Sequence, residues 1–266
     1  MKKWMTAAFL MAATCATAQQ KEGTILYERK INAHRNLPNE QMKAFIPEFR
    51  TSRHFLLFSD SVSIYRLQPE EDAPDPFAGG GGGGVQFRIG GGTDGGDLYK
   101  NFSNQKSVQM AELGGRNFLI VDTIQQQPWK LSNETKTVLG YTCKKATKKI
   151  TQVARTMRIV SGAGGNNPAD STTPRPKEVE VVAWYTNDFL TPAGPDNHGM
   201  LPGVILEMDI DNGGTVFKAL EVKNTVNRKE LKEPAKGKAV SRAEYQKIIG
   251  ELMNQQGPGM FRMNRN

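Results

Sequence analysis

The chain has 266 residues, with 35 Lys and Arg against 27 Asp and Glu, a formal charge of +8 and a pI near 9.4. An apolar content of 38% and a mean hydropathy of −0.52 exclude a multi-span α-helical membrane protein. Twelve Phe, six Tyr and three Trp supply a packed core, which excludes global disorder; the length fits one large domain or two small ones.

Met1-Lys2-Lys3 is a basic head, Trp4 to Ala16 is an apolar run, and Ala16-Thr17-Ala18 is a small-x-small cleavage pattern before the polar Gln19-Gln20. Residues 1–18 therefore read as a secretory signal peptide, too short for a stable membrane anchor. A lipid anchor on Cys15 is the weaker alternative, because Ala12-Ala13-Thr14 lacks the usual Leu at −3 and Thr fits poorly at −1. The expected location is exported, periplasmic or outer-membrane associated. Cleavage after Ala18 leaves a single cysteine, Cys143, so no intramolecular disulfide can form. Lys144 and Lys145 favour a thiolate there, but no His is adjacent to act as base, and a buried small hydrophobe is the simpler reading.

Residues 19–227 read as strands in chain order: Thr24 to Ile31, Phe55 to Leu67, Asn117 to Ile124, Lys136 to Ile150, Thr151 to Val160, Glu178 to Thr186, Val204 to Ile210 and Thr215 to Val226. In Glu178-Val179-Glu180-Val181-Val182-Ala183 the acids face one side while Val179, Val181 and Ala183 face the other, the pattern of a sheet with one wet face. Asp211-Asn212-Gly213-Gly214 is a hairpin signal, and no helical period separates the strands. The expectation is a mainly β protein built on a large antiparallel meander.

Two segments interrupt the strands. Residues 74–96 hold 11 of the 27 glycines, including the run Gly79 to Gly84, and residues 161–176 are rich in Gly, Asn, Pro and Thr. No Gly-Lys-Ser/Thr follows the glycines, and Val85 to Ile89 looks like a strand rather than a helix start, so both read as surface loops and not as a nucleotide cradle. Residues 228–266 form a basic tail. Within it Ser241-Arg242-Ala243-Glu244 is a capping box, and Tyr245, Ile248, Ile249, Leu252 and Met253 mark one amphipathic helix at about 242–255. Its charges nearly balance, so it is expected to dock on the sheet rather than on a membrane.

Chemistry is sparse. His34, His54 and His198 form no i, i+4 pair, and Gly-x-Ser-x-Gly is absent. The carboxylate pairs Glu178/Glu180 and Asp209/Asp211 read as a solvated face and a turn. The clustered Lys144, Lys145, Lys148 and Lys149 lack interleaved aromatics, so nucleic acid is not an expected partner, and no cofactor is expected. His198-Gly199-Met200 pairs imidazole with thioether, a combination that suits Cu(I), and gives the alternative of a periplasmic metal (copper) handling protein that uses His198 and Met200.

Val182-Ala183-Trp184-Tyr185-Thr186 continues through Ala193-Gly194-Pro195-Asp196 to Met200-Leu201-Pro202-Gly203-Val204-Ile205. With Trp129-Lys130 and Leu139-Gly140-Tyr141-Thr142-Cys143 upstream, this series resembles the GLPGLI family of exported Bacteroidota proteins; Met200 and Val204 stand where the family motif has Gly and Leu. The resemblance implies a curved antiparallel sheet similar to the half-open barrels of periplasmic lipoprotein carriers. It also implies an outer-membrane receptor or another envelope component as partner. It implies no catalytic residue, because the family has no established activity.

Pro202 and Gly203 turn the chain sharply into the strand that follows. The expected site is the rim and wall of an apolar cavity, made by Trp184, Leu201, Pro202, Gly203, Ile205 and Phe217. The expected function is a non-enzymatic exported protein that binds an apolar small molecule, a lipid or a partner segment in support of an outer-membrane process. A hydrolase with an unrecognised site is a further alternative.

Overall fold

A computed structural model describes residues 20–37, 40–69, 96–153 and 176–255. The expected signal peptide with Cys15, the strand expected at Val85 to Ile89, the glycine-rich loop apart from Gly96, the strand expected at 151–160 beyond Val153, the 161–176 loop apart from Pro176, and the tail from residue 256 lie outside those residues.

Period-two burial builds the first strand. In β1 (Gly23–Asn32) Ile25, Tyr27 and Arg29 are buried and alternate with half-buried or exposed neighbours. The chain continues through a short helix α1 (Glu40–Lys43) into β2 (Phe49–Phe58), β3 (Val62–Leu67), β4 (Leu98–Asn101), β5 (Lys106–Leu113) and β6 (Arg116–Thr123). Then come β7 (Lys130–Val138), β8 (Tyr141–Val153), β9 (Pro176–Thr186), β10 (Val204–Ile210), β11 (Thr215–Lys223), β12 (Lys238–Ser241) and helix α2 (Arg242–Gln255).

All twelve strands join one sheet in the order β12-β6-β5-β4-β3-β2-β1-β11-β10-β9-β8-β7. The mainly β expectation holds, with one correction: β12 runs parallel to β6, so the sheet is mixed rather than purely antiparallel. A chain returning from the far side of the sheet can add to this edge in either direction, and Lys238 to Ser241 lie along Phe118 to Val121 in the same sense. The sheet is open: β12 and β7 end the order, and among the described residues they do not pair with each other.

Turns divide two runs that look continuous. Ser59 donates its N–H to the Val62 carbonyl and splits Phe55 to Leu67 into the β2–β3 hairpin. Leu139 and Gly140 both take positive φ, 49° and 85°, and close the β7–β8 hairpin.

The main core joins buried residues of β1 to β4 with those of β7 to β11. The 187–203 segment fills part of that face with Phe189, Ala193 and Leu201. The Phe189 ring meets Phe58 edge-on at 5.2 Å. Helix α2 begins as expected: Glu244 N–H donates to Ser241 Oγ at 3.2 Å, and Ser241 N–H donates to Glu244 Oε2 at 2.7 Å. Tyr245 and Ile248 then pack on Phe118, Ile120 and Val240. The helix thus docks on the sheet.

Candidate functional site

Ala146, Lys148 and Ile150 alternate along β8 opposite Ala183, Val181 and Val179 of β9. The period that buries Ala146 therefore also buries Lys148, which is 6% exposed. Its ammonium lies 3.1 Å from His198 Nδ1 and 4.4 Å from the centre of the Trp129 ring, and it donates to Gln127 Oε1. Lys100 at the end of β4 is 7% exposed and donates to the carbonyls of Asp196 and His198 at 2.7 and 3.0 Å. Trp129 Nε1 donates to the Gly199 carbonyl at 2.8 Å, and Gln127 Nε2 to the Asn197 carbonyl at 2.9 Å. The 195–200 turn is thus held by β4, by β8 and by the connector between β6 and β7.

Burial, reinforced by the neighbouring Lys148, lowers Lys100 to about 8, against an opposing pull from Asp196. Burial lowers Lys148 to about 8 as well. His198 falls to about 3, first through burial and then through the two ammonium groups. It is therefore neutral near pH 7, and a charged Lys148 donating to Nδ1 assigns the ring proton to Nε2.

A cavity of about 240 Å³ opens beside this turn, lined by Lys100, Ser107, Gln127, Asn197, His198 and Met200 among others. Asp122 and Arg242 also stand on its wall, paired at 2.9 Å. His198 and Met200 are thus brought to one wall. Lys148 reaches the imidazole and Lys100 reaches the same residue's carbonyl, so two buried ammonium groups stand beside the ring, a setting that favours an anion over a metal cation. Among the described residues no group of three or more His, Cys, Asp or Glu converges.

A second, larger hollow of about 600 Å³ lies across β9, β10 and β11. Trp184 and Val182 alternate with the core residues Ala183 and Tyr185, so they face the other side of the sheet. There they share the hollow with Glu207 and Asp209 of β10, with Val216 and Lys218 of β11, and with Lys136. Lys136 pairs with Glu207 and sits 4.6 Å from the centre of the Trp184 ring.

The six residues expected around one apolar cavity are distributed differently. Trp184 and Phe217 both border the second hollow, Phe217 from the core beneath it. Leu201 and Ile205 are buried in the main core, and Tyr27 donates its hydroxyl proton to the Ile205 carbonyl. Pro202 is exposed. Gly203 has φ 147°, and a Cβ there would stand 2.1 Å from the Thr186 carbonyl oxygen, so the motif needs glycine at this corner. Cys143 is fully buried and burial pushes its thiol up to about 12, which agrees with the structural reading. Sequence reasoning missed Lys100, Gln127 and Lys148. The signal for Lys148 was its place in the apolar series Ala146-Lys148-Ile150.

Fold and sites together define an open twelve-stranded, mainly β protein with a cationic loop cavity and a tryptophan-bearing trough. A family model described as a protein of unknown function, Porph_ging, matches residues 129–207, which include Trp129, Lys148, Trp184 and the 195–200 turn. No curated protein matches the chain. Among solved structures the chain is similar to PNGF-II in two crystal forms, each with a TM-score of 0.51. The identities are 17% and 16%, over 87% of this chain and 34% and 33% of PNGF-II. The chain thus spans about a third of that protein, and the likeness is one of fold. LprF from Mycobacterium bovis aligns with a TM-score of 0.25 and 11% identity, over 82% of this chain and 91% of LprF.

Proposed function

We propose that the chain is a non-enzymatic binding protein of the cell envelope, of the GLPGLI kind, that takes an amphiphilic ligand or an extended partner segment along the Trp184 trough. The observation that carries this reading is the trough itself, where Val182, Trp184 and Val216 share one face with Glu207 and Asp209 of the middle strand and with Lys136, Glu180 and Lys218. Apolar side chains interleaved with charges of both signs match a guest that is itself amphiphilic. The signal-like residues 1–18 and the GLPGLI resemblance support an exported location and an outer-membrane role. The non-enzymatic reading draws support from how the chemical groups are engaged. His34 Nε2 lies 2.7 Å from the Ile46 carbonyl, His54 stacks on Tyr65, His198 meets Lys148, and Cys143 is buried.

Tryptophan fluorescence of the protein starting at Gln19 tests the proposal, since only Trp129 and Trp184 then remain. Fatty acids, lysophospholipids and extended amphiphilic peptides should shift the emission of the natural sequence and leave W184F unmoved. A flat titration across that panel, or an equal response in W184F, overturns the trough as the binding site.

A further inference from the structure

The cavity beside the 195–200 turn plays no part in the trough reading. We propose that it is a binding site for a small oxyanion, a carboxylate- or phosphate-bearing molecule, seated between Lys100 and Arg242 with Lys148 behind it. Lys100 reaches the wall from β4 and Arg242 from the first turn of α2. Asp122 neutralises Arg242 at 2.9 Å, and Asp196 is the carboxylate that acts on Lys100. Three cations therefore stand against two carboxylates, and the cavity keeps a positive field. A buried lysine is ordinarily matched by a carboxylate, because the desolvated ammonium is costly otherwise. Here two ammonium groups meet on one residue: Lys100 bonds the His198 carbonyl, and Lys148 bonds its ring. Holding a loop does not require a second cation at the same residue, whereas receiving an anion gives both of them a counter-charge.

The donors suit such a guest. The Asp196 and His198 carbonyls take two of the three Lys100 protons, and since Lys100 lines the cavity the third is available to a guest. Arg242 spends its Nε on Asp122 and retains its outer nitrogens for a planar carboxylate or a phosphate face. Asn197 and Ser107 add neutral polar groups to the same wall. The cavity measures about 240 Å³, room for several waters. That volume admits inorganic phosphate or a short di- or tricarboxylate. Because Trp184 and the trough contribute nothing here, the site stands or falls separately from the function proposed above.

Calorimetric titration of the protein starting at Gln19, with inorganic phosphate and with citrate in a chloride buffer of constant ionic strength, tests the site. One equivalent of at least one anion should bind saturably, and a phosphate-only or citrate-only result identifies the headgroup. Binding should weaken at least tenfold in R242Q, a half-exposed position where removing a cation from a helix start does not harm the helix. The His198 ring signals in nitrogen–proton spectra should move along the same titration curve. Absence of saturable binding by both anions, binding that survives R242Q, or unmoved His198 signals overturns the proposal.

Discussion

Lys148 holds its ammonium 3.1 Å from Nδ1 of His198, an imidazole that burial and two lysines keep neutral. The folded His198 titrates at about 3, below its ordinary value of 6.5. Between those values the unfolded chain takes up a proton that the folded chain refuses. Stability present above pH 6.5 is therefore lost as pH falls toward 3, by at most about 1.4 kcal/mol per pH unit. Lys100 and Lys148, lowered from 10.5 to about 8, act in the alkaline range, where stability rises from pH 8 to 10.5. Urea denaturation at stepped pH should show a decline between pH 6 and 4.5 that flattens in H198Q. Parallel curves for the two proteins would remove His198 from the account.

The corner after β9 distinguishes two positions of one motif. At Gly203 an added Cβ meets the Thr186 carbonyl oxygen at 2.1 Å, so G203A should cost more than about 4 kcal/mol, or prevent folding. Met200 also lies in the left-handed region, at φ 62°, a conformation glycine adopts freely. That backbone costs a side chain about 1–2 kcal/mol, while glycine loses about 0.5–1 kcal/mol of unfolded-state entropy. M200G should therefore stay within about 1 kcal/mol of the natural sequence. Thermal melts of both variants check the contrast, and equal losses would contradict it.

Cys143 should not react with thiol reagents in the native state. The side chain is fully buried and its thiol is pushed up to about 12, mainly by burial, with Lys136 only partly opposing that shift. Labelling followed across a urea series should track global unfolding. Rapid modification in the absence of urea would show that the β7–β8 hairpin opens locally.

Ser241→Ala removes the hydroxyl that receives the Glu244 N–H at 3.2 Å. The expected loss is about 1 kcal/mol, confined to α2. Hydrogen exchange should speed up at the α2 amides and leave β1 and β11 unchanged. Uniform acceleration would instead make the helix part of the global folding unit.

Most of the sheet was legible because alternation and turn chemistry agree. Val204–Ile210 is bounded by Gly203 and by the Asp211–Gly214 turn, and it forms as read. The Ser241/Glu244 box gave the helix start for the same reason, a local pair with a local hydrogen bond. β4 and β12 are only four residues long, too short for a local period to mark them, and β12 pairs with β6, far away in sequence. β5 was missed although Gly114-Gly115, at φ 58° and 73°, closes its hairpin with β6. The Leu139-Gly140 turn hid because leucine seldom adopts φ 49°. At the cavity, His198 and Met200 were visible as a pair. Lys100, Gln127 and Lys148 were not, because only the folded sheet brings residues 100, 127, 148 and 198 to one turn.

The position of β1 between β2 and β11 orders the birth of this protein in time. As the chain emerges N-terminus first, Gly23–Asn32 can zip onto Phe49–Phe58 early. The opposite flank of β1 must wait for Thr215–Lys223, some two hundred residues later. During that interval it offers bare N–H and C=O groups to any passing strand, so a chaperone's protection matters most before β11 emerges.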